Sequence, residues 1–218
     1  MTNIESISQQ LDTVGIIALV PGELPHNRVI EIADALLAAP ILAVQIVPNG
    51  NSTLDTLQAF RQRAGDNMLV GADRVESLAE LQAVIDAGAQ FASTSGEFEI
   101  KMIGHGKKND FMFIPTVHSP GQTLMSSKVG CQWQKIRDDI DVEGLEGMME
   151  RNHAIGFRPK YIINQIALEN IDAAYDAGAR LTCVNDIYLG PDQPMHDIIT
   201  RAREARQIWL DSRAESAE

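Results

Sequence analysis

Lys135 is the residue in this chain best placed by type and position to do chemistry. It sits in the run GCQWQKI, residues 130–136, between Trp133 and Ile136, in a stretch that reads as a β-strand. Lysine is rarely buried without a partner or a purpose, and apolar surroundings strip hydration from the ammonium and favour the neutral amine. A neutral amine can attack a ketone and form an imine, the covalent route to carbon–carbon cleavage beside a keto group. The competing reading is a strand-end lysine whose amine reaches water along its aliphatic stem. Side chains alternate faces with a period of two, so two registers are open: Lys135, Trp133 and Cys131 inward with Gln132 and Gln134 outward, or the reverse.

The other polar residues of interest follow short apolar runs at a regular spacing. Eight such runs begin at Gly15, Ile41, Asn67, Gln90, Phe111, Gly130, Lys160 and Leu181, and between them lie segments with apolar residues three and four apart, such as Val29, Ile32, Ala33, Leu36 and Leu37. Strand-like runs alternating with amphipathic helices predict parallel strands joined by crossover helices. Eight of them in 218 residues predict a closed (β/α)8 barrel, a TIM barrel, whose chemistry sits at the C-terminal ends of the strands. Ser52 and Ser77 are expected helix N-caps, and Gly88 and Gly178 expected helix stops. The C-terminal rim then carries Pro21, Gln45, Asn49, Asp73, Arg74, the stretch from Ser93 to Glu97, Thr116, His118, Arg137, Asp138, Asn164, Gln165, Asn185 and Asp186. Histidine suits proton transfer near neutral pH, which makes His118 a candidate; a solvated loop residue is the plainer reading. Asp73, Glu97, Asp138 and Asp186 would supply hard oxygen ligands to a divalent metal, but no compact ligand motif supports one, and neither a metal nor a cofactor is expected.

Composition narrows the function classes. One barrel over residues 1–213 with a polar tail over 214–218 is the expected domain plan. The net charge is −12, from 18 basic and 30 acidic residues, with no basic stripe, so a nucleic-acid partner is not expected. No apolar segment approaches the roughly 20 residues of a membrane span, and the first residues lack the basic and apolar regions of a signal peptide. Cys131 and Cys183 read as buried structural thiols in strands, consistent with a reducing, cytoplasmic setting.

The motifs from Gly15 to Lys135 resemble the class I 2-keto-3-deoxy-6-phosphogluconate (KDPG) and 4-hydroxy-2-oxoglutarate (KHG) aldolases, small (β/α)8 barrels that usually form trimers. The segment VGADRVESLAELQAVIDAGAQFASTSG, residues 70–96, is similar to the family's VGAGTV strand end, helix, EAGAQF and SPG turn. FMFIPTVHSPGQTL, residues 111–124, resembles PLIPGISTVSEL. In GCQWQKI the lysine follows the glycine by five residues, as in the family strand that carries the Schiff-base lysine. The resemblance implies a lyase that cleaves a 2-keto-3-deoxy sugar acid or a 4-hydroxy-2-oxo acid to pyruvate and an aldehyde, acting on a small-molecule 2-keto acid as a homotrimer. Its catalytic set would be Lys135, Gln45 and His118, with substrate contacts from Asn49, Arg74, Thr94, Gly96, Thr116, Asn164 and Asp186.

Departures from the family fall on that set. The family's proton-shuttling glutamate corresponds to Gln45, which cannot ionise, leaving bound water, His118 or Glu97 to move protons. The carboxylate-binding arginine corresponds to Asn49, and the threonine of the GAGT turn to Arg74, which could supply the lost cation. The glycine turns that bind phosphate in the family read Asn164-Gln165 and Asn185-Asp186, so an unphosphorylated substrate is expected. The alternative is a barrel that keeps the fold and binds a small ligand, with or without a divalent metal, without imine chemistry.

Overall fold

The structure is a computed structural model that describes residues 2–96, 98–137 and 142–215. In chain order the first elements are α1 (Asn3–Val14), β1 (Ile16–Pro21), α2 (His26–Ala38), β2 (Ala43–Val47), α3 (Thr53–Ala64), β3 (Leu69–Ala72), α4 (Leu78–Asp86) and β4 (Phe91–Ser93). They are followed by α5 (Ile100–Lys108), β5 (Met112–Ile114), β6 (Thr116–Val117), α6 (Pro120–Lys128) and β7 (Trp133–Ile136). The last are α7 (Val142–Ala154), β8 (Lys160–Ile166), a 3-10 turn (Leu168–Asn170), α8 (Ile171–Asp176), β9 (Leu181–Val184) and α9 (Met195–Glu215). Helix α9 therefore runs through 214 and 215, the first residues of the expected polar tail; 216–218 lie outside the described residues.

All strand pairings are parallel, in the order β5-β4-β3-β2-β1-β9-β8-β7-β6. The two ends of this order are β5, within the fifth apolar run, and β6, which follows that run across Pro115, so nine segments occupy the eight positions of one α/β TIM barrel. Proline has no N–H to donate to a ladder, but its carbonyl still accepts from the Lys135 N–H at 3.0 Å. Across the break, the Thr94 hydroxyl accepts from the Thr116 N–H at 2.9 Å, and the Thr116 hydroxyl donates to the Thr94 carbonyl.

Alternation along the strands divides the core in two. Ile16, Ala18 and Val20 pack outward against the helices, whereas Ile17, Leu19, Ala43, Leu69, Phe91, Trp133, Ile162, Leu181 and Cys183 form an inner cluster. Gly71 faces that interior beside Phe91; a Cβ there would stand 2.6 Å from the ring, so glycine makes room for a large aromatic in the barrel. Helix α1, to which no element was assigned from the sequence, adds Ile7 and Leu11 to the inner cluster. Ser8 on the same helix accepts from the Trp133 indole N–H at 3.0 Å. Burying such aliphatic side chains stabilises by roughly 1.5–3 kcal/mol each, and α1 is itself started by a capping box between Thr2 and Glu5. Ser77 caps α4 as expected, and Gly88 and Gly178 end their helices at φ +88° and +93°. Ser52 holds the N-cap position of α3 without a side-chain cap bond.

Candidate active site

The register left open by the sequence is decided for Lys135: it faces into the barrel and is fully buried, two residues along β7 from the inner-cluster residue Trp133. Gln134 points the other way, and its amide donates to Ser127 Oγ (3.0 Å) and the Thr123 carbonyl (3.2 Å) on α6. Cys131 precedes β7 and joins the outer cluster. The surroundings of the amine differ from the apolar setting expected for it. Lys135 Nζ donates to Asp73 Oδ1 at 2.7 Å, to Gln45 Oε1 at 3.2 Å and to Ser93 Oγ at 3.4 Å.

These partners also bind one another. The Ser93 hydroxyl donates to Asp73 Oδ1 at 2.7 Å and accepts from Gln45 Nε2 at 2.9 Å, while Gln45 Nε2 also donates to the Ala72 carbonyl at 3.3 Å. The Cys183 thiol reaches Gln45 Oε1 at 3.5 Å. Lys135 and Asp73 are a buried ion pair, each side chain 1 % exposed. Such pairs persist where further hydrogen bonds satisfy both charges, which Ser93 and Gln45 do on the lysine side. On the acid side one atom remains: Asp73 Oδ2 is buried and has no hydrogen-bond partner among the described residues. A buried, unmatched acceptor calls for an explanation, and a reacting group is one of the few available.

Local backbone explains how Asp73 comes to face the amine. Its N–H continues the ladder past the end of β3 by donating to the Ile46 carbonyl at 2.9 Å. Arg74 then turns through φ +53°, a conformation uncommon outside glycine. The chain rejoins the sheet at Val75, whose N–H donates to the Ser93 carbonyl at 2.9 Å. Asp73 is thereby held inside and Arg74 exposed at the rim.

At the C-terminal rim lies a cavity of about 500 Å³, lined by Leu19, Val47, Asn49, Arg74, Gln165, Asn185 and Tyr188 among others; the buried Lys135, Asp73, Gln45 and Ser93 are not among its lining residues. Asn49 is partly engaged, its Oδ1 accepting from the Glu23 N–H at 2.6 Å. Arg74 makes no ion pair with a described residue. The remaining expected residues divide by place. Thr94 and Thr116 spend their hydroxyls on each other's backbone, as described above, and Gly96 faces open space. His118 follows β6; its N–H donates to Gln122 Oε1 at 2.9 Å, and its buried Nδ1 has no partner among the described residues. Asn164 is buried on β8, beside an irregularity in the β8–β9 pairing. Asp186 accepts from the Leu168 N–H at 3.2 and 3.3 Å and pairs with Arg201 at 2.9 Å. Glu97 and Asp138 lie outside the described residues. Among the described residues no group of three or more His, Cys, Asp or Glu side chains is placed to hold a metal ion.

The KDPG and KHG aldolase family model matches residues 4–149, two thirds of the sequence and the part that carries Gln45, Asp73, Ser93 and Lys135. The chain belongs to the KDPG and KHG aldolase family. Among solved structures it resembles native KDPGal, at 16 % identity over 93 % of this chain and 97 % of that one, with a TM-score of 0.82. It also resembles the 2-keto-3-deoxy-6-phosphogluconate aldolase of Zymomonas mobilis ZM4 solved with 3-phosphoglycerate (14 % identity, 93 % and 95 % coverage, TM-score 0.81). A third is the KDPG aldolase of Legionella pneumophila with pyruvate captured at low pH as a covalent carbinolamine intermediate (17 %, 93 % and 96 %, TM-score 0.72). A comparison with curated proteins found no matching sequence. At these identities the structural likenesses establish the fold.

Two residues at the amine, Asp73 and Ser93, were read from the sequence as rim residues and not assigned to Lys135. The signal was nevertheless present. VGADRV carries an acid where the family pattern VGAGTV has glycine, on the strand next to the one where the family glutamate has become Gln45.

Proposed function

We propose that the protein is a Schiff-base aldolase in which Lys135 forms an imine with a 2-keto acid and releases pyruvate and an aldehyde. The observation that supports this most is the placement of the Lys135 amine inside the C-terminal half of the barrel, 2.7 Å from a carboxylate and 3.2 Å from an amide oxygen. An amine held there is positioned, desolvated and provided with a proton acceptor, the features that activate a lysine nucleophile. Arg74 at the cavity wall is suited to hold the substrate carboxylate, with Asn49 beside it. The substrate is unphosphorylated, because the Leu168 N–H at the start of the turn after β8 is engaged by the chain's own Asp186. Family membership further supports a homotrimer acting on a small molecule in the cytoplasm. The Legionella enzyme's captured pyruvate supplies the probe for the test.

Incubation with pyruvate and borohydride should add the reduced pyruvyl mass to Lys135, and Lys135→Arg should abolish the addition. A second reading is favoured by the ion pair itself: a lysine locked to Asp73 as an ammonium is not a nucleophile, and the barrel would then bind a keto acid without covalent chemistry. Binding of pyruvate by calorimetry with no trapped adduct would establish that reading in place of the first.

A further inference from the structure

We propose that Asp73 is the proton-transfer residue of the lysine's reaction, so that the ionisable group absent from β2 is supplied from the end of β3. The inference rests on the Schiff-base reading and extends it to a residue that the family pattern leaves as glycine. Three observations carry it. Asp73 Oδ1 is 2.7 Å from the reacting nitrogen, a distance over which a proton can pass directly. Gln45, at the family's acid position, accepts from the same nitrogen at 3.2 Å but cannot ionise. Asp73 Oδ2 is buried with no hydrogen-bond partner among the described residues, leaving one acceptor for a substrate hydroxyl.

The steps balance without any further reagent. The ammonium of Lys135 passes a proton to Asp73, and the freed amine adds to the C2 carbonyl, whose π electrons move to oxygen. That oxygen takes up a proton and the attacking nitrogen gives one up, so a neutral carbinolamine forms with Asp73 still protonated. Asp73 then protonates the hydroxyl, which leaves as water, and the nitrogen lone pair closes the iminium. The Asp73 carboxylate next removes the proton from the C4 hydroxyl. The C3–C4 bond breaks, its electrons enter the iminium to give an enamine, and the aldehyde departs. Asp73 returns that proton to C3, and water hydrolyses the pyruvate iminium. Water is released once and consumed once, and nothing is oxidised or reduced. Ser93, donating to Asp73 Oδ1 at 2.7 Å, positions the carboxylate.

Exchange of the pyruvate methyl protons with D2O, followed by NMR, isolates the C3 proton transfer, and borohydride trapping on the same samples reports imine formation separately. The native protein should trap and exchange. Asp73→Asn should form the imine more slowly but still accumulate trapped adduct, while exchange falls at least about a hundred-fold, within the range of general acid–base contributions. The double variant Asp73→Asn/Gln45→Glu, which returns a carboxylate to the same amine from β2, should recover at least about tenfold of the loss. A merely structural role for Asp73, as counter-charge to the buried ammonium, would be rescued in trapping but not in exchange. If Asp73→Asn fails to trap as well, the double variant decides: trapping and exchange returning together support the proposal, whereas trapping without exchange overturns it. Exchange in Asp73→Asn within about threefold of native, or its loss instead in His118→Gln or Glu97→Gln, also overturns it. A native protein that does not trap pyruvate removes the Schiff-base reading itself, and this inference with it.

Discussion

At the scale of single residues, the Lys135–Asp73 pair sets both reactivity and stability. Two buried charges at 2.7 Å stabilise each other only while both are present. Removing one strands the other in a poorly solvated site, at a cost of about 3–5 kcal/mol, whereas apolar replacement of both is close to neutral. Lys135→Met should therefore lower unfolding free energy by about that amount in urea titration, and Lys135→Met/Asp73→Leu should regain most of it. A double variant no more stable than the single one would mean that the pair is not the source of the loss. Cys131 offers a separate check on burial. Loss of hydration pushes its thiol up from 9.0 to about 11, against the smaller opposing effect of the Lys107 charge. The folded thiol thus keeps its proton between pH 9 and 11 while the unfolded one ionises, so this group's contribution is fully present below pH 9 and is lost as pH rises to 11. Iodoacetamide should label Cys131 far more slowly than a free thiol at pH 8, and rapid labelling would show the site to be open.

Among the elements, the ends of the last two strands govern which anion the mouth accepts. In barrels of this kind, phosphate is commonly held by the loops after the last two strands and by a helix start. Here the Leu168 N–H already donates to Asp186, which is itself tied to Arg201 on α9. A phosphate brought there meets a like charge, worth about 1 kcal/mol at 4 Å in water and several times that in an enclosed mouth, and a donor already engaged. The expected outcome is a higher kcat/KM for an unphosphorylated 2-keto-3-deoxy acid than for its phosphorylated counterpart. Asp186→Gly should narrow the gap. A native preference for the phosphorylated acid, or an ordered sulfate between Asn164 and Asp186 in a crystal, would contradict this.

For the whole molecule, the net charge of −12 bears on the proposed keto-acid substrate, an anion that must enter a repelling field. Arg74 at the cavity wall provides a local cation within that acidic field, the arrangement that such a ligand requires. The trimer proposed from family membership should appear in sedimentation equilibrium at micromolar concentration as three times the 23.9 kDa chain mass. A stable monomer would remove it.

The barrel was legible in the sequence because strand and helix periodicities are local: eight apolar runs with amphipathic segments between them need no long-range information. Even α1 left a readable trace, in the three- and four-residue spacing of Ile4, Ile7, Leu11 and Val14. The family motifs put Lys135 and Gln45 on strands of the barrel, and the two side chains meet there at 3.2 Å. What only the tertiary structure decided was which face Lys135 takes and what meets it there. A one-residue change of register reverses every side chain on a strand, and the choice depends on Trp133 finding the barrel floor and Gln134 finding Thr123 and Ser127 on α6. Asp73 and Ser93 reach the amine from strands 62 and 42 residues away in the chain. Their convergence follows from barrel closure, in which parallel strands distant in sequence present their C-terminal ends to one small volume.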